Sequence, residues 1–91
     1  MHTQTITEVD KRSGRIRLPR EAKSLFPDGD CQVTLVLKGT ELTVPYRPRT
    51  GPDRERSAVL QVGREDMAGV AAGRRLQVAR NAAGKVVLEE E

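Results

Sequence analysis

The stretch Val9-Asp10-Lys11-Arg12-Ser13-Gly14-Arg15-Ile16-Arg17-Leu18-Pro19-Arg20-Glu21 decides how this chain is read. Arg15 to Leu18 alternates strictly, which places Ile16 and Leu18 on the inner side of a strand and Arg15 and Arg17 on the outer side. Asp10 to Gly14 reads as a polar turn before it. Thr3 to Val9, Thr-rich and alternating, reads as the preceding strand. Pro19 cannot donate to a ladder but suits the start of a helix, so a short helix is expected from Arg20 to Leu25 or Phe26. The cluster Pro27-Asp28-Gly29-Asp30 ends it.

Further along, Gln32 to Lys38 reads as a strand, Gly39-Thr40 as a hairpin turn and Glu41 to Val44 as the return strand. Pro45 to Arg54 carries Pro45, Pro48, Gly51 and Pro52 among three arginines and reads as a linker. The same order of elements then recurs. Ser57 to Val62 is a strand, Arg64 to Ala68 a short helix, Gly69 to Gly73 a turn and Arg75 to Arg80 a strand. Asn81 to Gly84 is a hairpin turn, and Lys85 to Leu88 is the last strand. At one offset of 44 residues, Arg20-Glu21 falls on Arg64-Glu65, Gly29 on Gly73, Ile16 on Leu60, Leu18 on Val62 and Phe26 on Val70. A half of roughly 40 residues cannot bury a core alone, whereas two halves can cover each other's apolar sides. The expected organisation is a single domain, 1–91, made of a first half (1–46), a linker (47–56) and a second, diverged half (57–91).

Composition narrows the chemistry. The chain has 91 residues, 36% hydrophobic and 32% charged, and its aromatics are Phe26 and Tyr46, so a core must be built from Val, Leu, Ile and Ala. One cysteine excludes an internal disulfide and a Cys-clustered metal site, and fits a reducing, cytoplasmic setting. His2, near a terminus expected to fray, reads as a bystander, and Cys31 as a semi-buried structural thiol. No pair of groups suited to acid–base or nucleophilic work stands out. The expectation is therefore no enzyme, no catalytic residue, no metal and no cofactor. The N-terminal residues show no apolar signal stretch, and no apolar run approaches the ~20 residues of a membrane helix.

Charge points elsewhere. Lys11, Arg12, Arg15, Arg17, Arg20 and Lys23 stand against Glu21 alone, a local +5 in a chain of net +3, while the C-terminus closes on Glu89-Glu90-Glu91. Exposed strand positions must be polar, and arginine can serve solubility alone. Arginine also suits bidentate contacts to phosphate and to guanine edges. These six residues are the candidate DNA-binding set. Two scattered aromatics give no stacking platform for single-stranded RNA.

The segment Ile6 to Glu21 resembles the N-terminal DNA-binding segment of the AbrB/SpoVT/MazE superfamily. The likeness rests on Val9-Asp10, Gly14-Arg15, Leu18-Pro19 and Gly29-Asp30 recurring in that family's order, and it covers about residues 5–46. It implies a mainly β fold with short helices, a swapped-hairpin β-barrel, duplicated within one chain as in MraZ-like tandem proteins. A double-psi β-barrel is the alternative. The resemblance further implies contacts to DNA from Arg15, at the Gly-Arg position, and from Lys23 in the short helix. Thr7, Glu8 and Ser24 stand where the family has basic residues. The second half has Ala58-Val59 in place of Gly-Arg and Gly63 in place of Pro. Arg54, Arg56 and Arg64 are candidate substitutes.

Three functions compete. The first is a cytoplasmic transcriptional regulator of the AbrB type that binds duplex DNA through a basic strand–helix face. The second is a β-barrel interaction or scaffold module without DNA binding. The third is a MazE-like antitoxin, ranked below the others because the sequence ends three residues past Leu88 with no toxin-clamping tail. A homodimer or higher oligomer follows if hairpins swap between chains.

Overall fold

A computed structural model of the chain describes residues 1–26, 29–48 and 58–90. It is mainly β, with one mixed six-stranded sheet that curls into a barrel-like shape. Helix α1 spans Glu8–Ser13, β1 Arg15–Leu18, a 3₁₀ helix Arg20–Leu25, β2 Cys31–Leu37 and β3 Thr40–Arg47. After the linker come β4 (Ala58–Gln61), α2 (Arg64–Met67), β5 (Leu76–Arg80) and β6 (Val86–Glu90). The strands lie in the order β1-β4-β3-β2-β6-β5; β2 and β6 run parallel and every other neighbouring pair antiparallel.

The first stretch departs from its reading. Thr3 to Val9 is no strand, and Asp10 to Gly14 is no simple turn. Residues 8–13 form α1 because Thr7 and Asp10 make a reciprocal capping box: Asp10 N donates to Thr7 Oγ1, and Thr7 N donates to the Asp10 carboxylate, both at 3.0 Å. Gly14 ends the helix in the left-handed conformation at φ 69°, as a C-cap glycine does. Alternation of Thr with other residues suggested a strand, but two cap bonds decide this short segment.

Residues 1–6 run extended instead, and they tie the sheet together. Gln4 N donates to Arg17 O on β1 (2.9 Å). Thr3 N donates to Leu76 O (2.8 Å), Val78 N to Met1 O (2.7 Å) and Leu76 N to the Thr3 hydroxyl (3.0 Å), all on β5. β1 and β5 are the two ends of the strand order, so this segment bonds to both edges. His2, expected to fray, bridges Gln77.

The hairpin turn also shifts by one residue. Leu37 pairs with Thr40, so Lys38-Gly39 is the two-residue turn, not Gly39-Thr40. Both residues have positive φ, 49° and 85°, which a type I′ turn requires. The return strand reaches Arg47, past the expected end at Val44 and into the expected linker. Apart from Arg47 and Pro48, that linker lies outside the described residues, as do Pro27 and Asp28 of the first turn cluster.

Across β1, β4 and β3 the register stacks Ile16, Leu60 and Tyr46 in one row, all at most 1% exposed. Phe26 stacks on Tyr46 with ring centroids 4.7 Å apart. The remaining core is aliphatic, with Ile6, Leu18, Leu35, Met67, Val70, Leu76 and Leu88 buried. The β1–β4 pair has the register that the 44-residue offset implies. A shift by that offset carries Arg15 onto Val59, the partner of Arg17, and Arg17 onto Gln61, the partner of Arg15. The rest of the sheet does not repeat this relation. β3 pairs with β4, but β6 pairs with β2 and β5, not with β1.

The α1–β1 corner meets the start of α2 backbone to backbone, with Gly63 N donating to Gly14 O at 2.8 Å. A Cβ on Gly14 would lie 2.6 Å from the Gly63 carbonyl carbon. Gly14→Ala should therefore cost more than the ~1–2 kcal/mol of placing an L-residue in the left-handed region. Gly39→Ala shares the positive φ but meets nothing within 4 Å. Urea-unfolding midpoints of the two variants should separate clearly, and equal midpoints would rule out the close approach.

Candidate nucleic-acid interface

The six candidate cations fall along one line of elements. Lys11 and Arg12 occupy the last turn of α1. Arg15 and Arg17 project from the outer face of β1, opposite the buried Ile16 and Leu18. Arg20 opens the 3₁₀ helix and Lys23 sits in its last turn, beyond the far end of β1. The structure thus brings Lys11, Arg12 and Arg15 to the α1–β1 corner, with Arg17 further along β1, and places Arg20 and Lys23 past the far end of that four-residue strand, which is roughly 10 Å long.

At the centre of the corner sits a residue that the charge pattern alone does not single out. Asp10 is 1% exposed. Its Oδ1 accepts from Arg15 Nε (3.0 Å) and Arg17 Nε (3.1 Å), and its Oδ2 accepts from Arg17 Nη2 (3.1 Å) and Thr7 N (3.0 Å). Arg17 Nη2 also donates to Thr5 O at 3.0 Å. Burial works against the charged carboxylate, but the bonds from Arg17, the Thr7 backbone and Arg15 outweigh it and hold its pKa below the ordinary 3.8. A buried carboxylate needs such partners. The signal in the sequence was Thr7-x-x-Asp10, a cap spacing, and not the basic run beside it.

The guanidiniums keep unused donors. Each carries five N–H groups. Among the described residues Arg15 engages only its Nε, and Arg17 its Nε and Nη2. Both side chains remain about one-third exposed, at 35% and 31%. Lys11, Arg12 and Lys23 make no ion pair with a described residue. The chain matches no protein-family model, no curated protein and no solved structure. What the corner does must be argued from its own chemistry.

Other candidate sites among the described residues are thin. Among the described residues no three His, Cys, Asp or Glu side chains come together in a metal-holding arrangement. Cys31 is free and half-buried against the core. Phe26 and Tyr46 stack on each other inside, so neither offers a face to a base. Two shallow grooves, of about 270 and 230 Å³, lie on β5–β6 and beside the β2–β3 turn. The second is flanked by Lys38, whose Nζ donates to Gly69 O and to Glu90 at 3.2 Å. No described helix is long and apolar enough to cross a membrane.

The sign of the Asp10 shift fixes its pH dependence. Its folded pKa lies below the ordinary value, so the unfolded chain binds more protons between the two. The stabilisation is complete above about pH 5 and drains away as pH falls through the ordinary value to the folded one. Urea unfolding between pH 7 and 2 should show this acid limb, and Asp10→Asn should flatten it. The same acid loss in both proteins would mean that Asp10 is not the group responsible. Asp10→Ala, which removes the Thr7 cap bond and the partner of two arginines that stay part-exposed to water, should cost about 1–3 kcal/mol at neutral pH.

Proposed function

We propose that this chain is a duplex-DNA-binding transcriptional regulator of the AbrB type, gripping the phosphate backbone with its α1–β1 corner. The observation that carries this reading is that one buried carboxylate holds two arginines on an outer strand face while leaving terminal nitrogens unengaged beside Lys11 and Arg12. Four cations against the two carboxylates of α1, Glu8 and the buried Asp10, leave the corner net positive. Such a patch draws a polyanion by counterion release, and arginine adds bidentate phosphate geometry. With the aromatics inside the core, phosphate contact outweighs base stacking in any binding mode.

A swapped-hairpin barrel remains the fold to which this reading is tied, and the cytoplasm the setting. The rival reading, an interaction or scaffold module without DNA binding, has one observation in its favour: Asp10 gives Arg15 and Arg17 a purely architectural job.

Fluorescence anisotropy with mixed-sequence duplexes at low salt separates the two. DNA binding predicts a log–log salt slope of several units, lowered by about 1 each in Lys11→Ala and Arg12→Ala. These two residues do not touch Asp10, so their loss leaves the core of the corner standing. Arg15→Ala confounds binding with stability and is interpretable only beside its own unfolding curve. Absence of binding to every duplex at low salt would leave the module reading in place.

A further inference from the structure

The outer face of the sheet is divided by charge, and the division reaches beyond the six residues named from sequence. Directly paired residues on neighbouring antiparallel strands share a face. Arg17 pairs with Val59, and Val59 pairs in turn with Arg47. Arg17, Val59 and Arg47 therefore form one outer row across β1, β4 and β3, next to the inner row Ile16, Leu60 and Tyr46. Arg15 and Gln61 form the neighbouring outer pair. No carboxylate projects from these positions; the acid beneath the arginines is the buried Asp10. On the other half of the same face the outward residues include Glu41, opposite Val36, and Glu89, opposite Gln77.

Arg47 is exposed and makes no ion pair with a described residue. It also stands where the second half is deficient. The 44-residue offset places Val59 at the position of Arg15, so β4 has a buried valine where β1 has a part-exposed arginine. Arg47 flanks that valine from the opposite side to Arg17. Arg54 and Arg56, two of the expected substitutes, lie outside the described residues, and Arg64 opens α2 beside the Gly14 corner.

We infer that Arg47 is a DNA-phosphate contact that widens the binding face from the α1–β1 corner across β4 to β3, so that the duplex backbone lies across the strands. The inference rests on the DNA-binding reading above. Two strand spacings, roughly 10 Å, separate the Arg17 and Arg47 backbones. Each strand of a duplex carries one phosphate per ~3.4 Å of helix axis, so both arginines fall within the span of one backbone. A backbone laid across β1, β4 and β3 meets a cation at each end of the row, the Val59 between them being buried at 8% exposure and carrying no charge. A backbone turned towards β6 and β5 runs onto outward glutamates.

The test is anisotropy with the full chain and mixed-sequence duplexes over a salt series. Arg47→Ala should lower the salt slope by about 1 and weaken all sequences alike, as loss of one phosphate contact does. Arg47→Lys should restore the slope. Lys85→Ala removes the same unit of charge from the acidic half, where Lys85 pairs with Glu41 at 2.8 Å, and should leave the slope unchanged. If Arg12→Ala lowers the slope and Arg47→Ala does not, the widened face is wrong while the corner stands. Equal effects of Arg47→Ala and Lys85→Ala would reduce the result to net charge and overturn the contact. A wild-type chain without affinity for duplex DNA overturns both readings.

Discussion

One carboxylate joins three parts of the chain. Asp10 closes the capping box that starts α1, binds both outward arginines of β1, and through Arg17 is linked to the carbonyl of Thr5 in the N-terminal segment. That segment bonds to β1 on one side and β5 on the other. The closure of the sheet and the geometry of the basic corner thus share a single buried charge. Such a group is favourable only while all its partners are present, because an uncompensated charge in this position is far more costly than the pair is stabilising.

The same arrangement bears on the proposed phosphate binding. A free arginine carries up to ~2 kcal/mol of side-chain entropy that a ligand must overcome to hold it. Asp10 has already restrained Arg15 and Arg17 as part of folding, so a phosphate arriving at their remaining N–H groups meets donors whose direction is set. The cost is that the carboxylate cancels part of their attraction. In the proposed reading Lys11 and Arg12, which make no bond to Asp10, would supply the complementary half: long-range charge with little geometric demand.

What the sequence made legible was what local alternation controls. β1, the first short helix, both hairpins and α2 stand close to where alternation and turn residues put them. The failures share a cause. Residues 3–9 alternate like a strand, yet Thr7 and Asp10 cap a helix there, and cap bonds leave only a two-residue trace in the sequence. Pro45 suggested that the strand had ended, but alternation resumes through Tyr46 and Arg47, where β4 joins β3. Asp10 was visible as a turn residue and not as a site, because its importance comes from residues five and seven positions on, which a net-charge count treats only as cations.

The relation between the two halves holds at their junction and fails around it. β1 and β4 pair about Ile16 and Leu60 in a register that respects the 44-residue offset. Were the whole sheet to follow, the contact of β3 with β4 would have its counterpart in β6 against β1. Instead β6 lies parallel to β2, and the N-terminal segment occupies the side of β1 that β6 would have taken. An edge strand offers unpaired N–H and C=O groups that must be covered. Here residues of the same chain cover the edge, and they are residues without an equivalent among the described parts of the second half. The departure from symmetry has a physical basis. Among the described residues the capped helix, the buried carboxylate and its arginines stand at one end of the sheet, and Arg47, from the strand next to β4, is the residue positioned to extend that face.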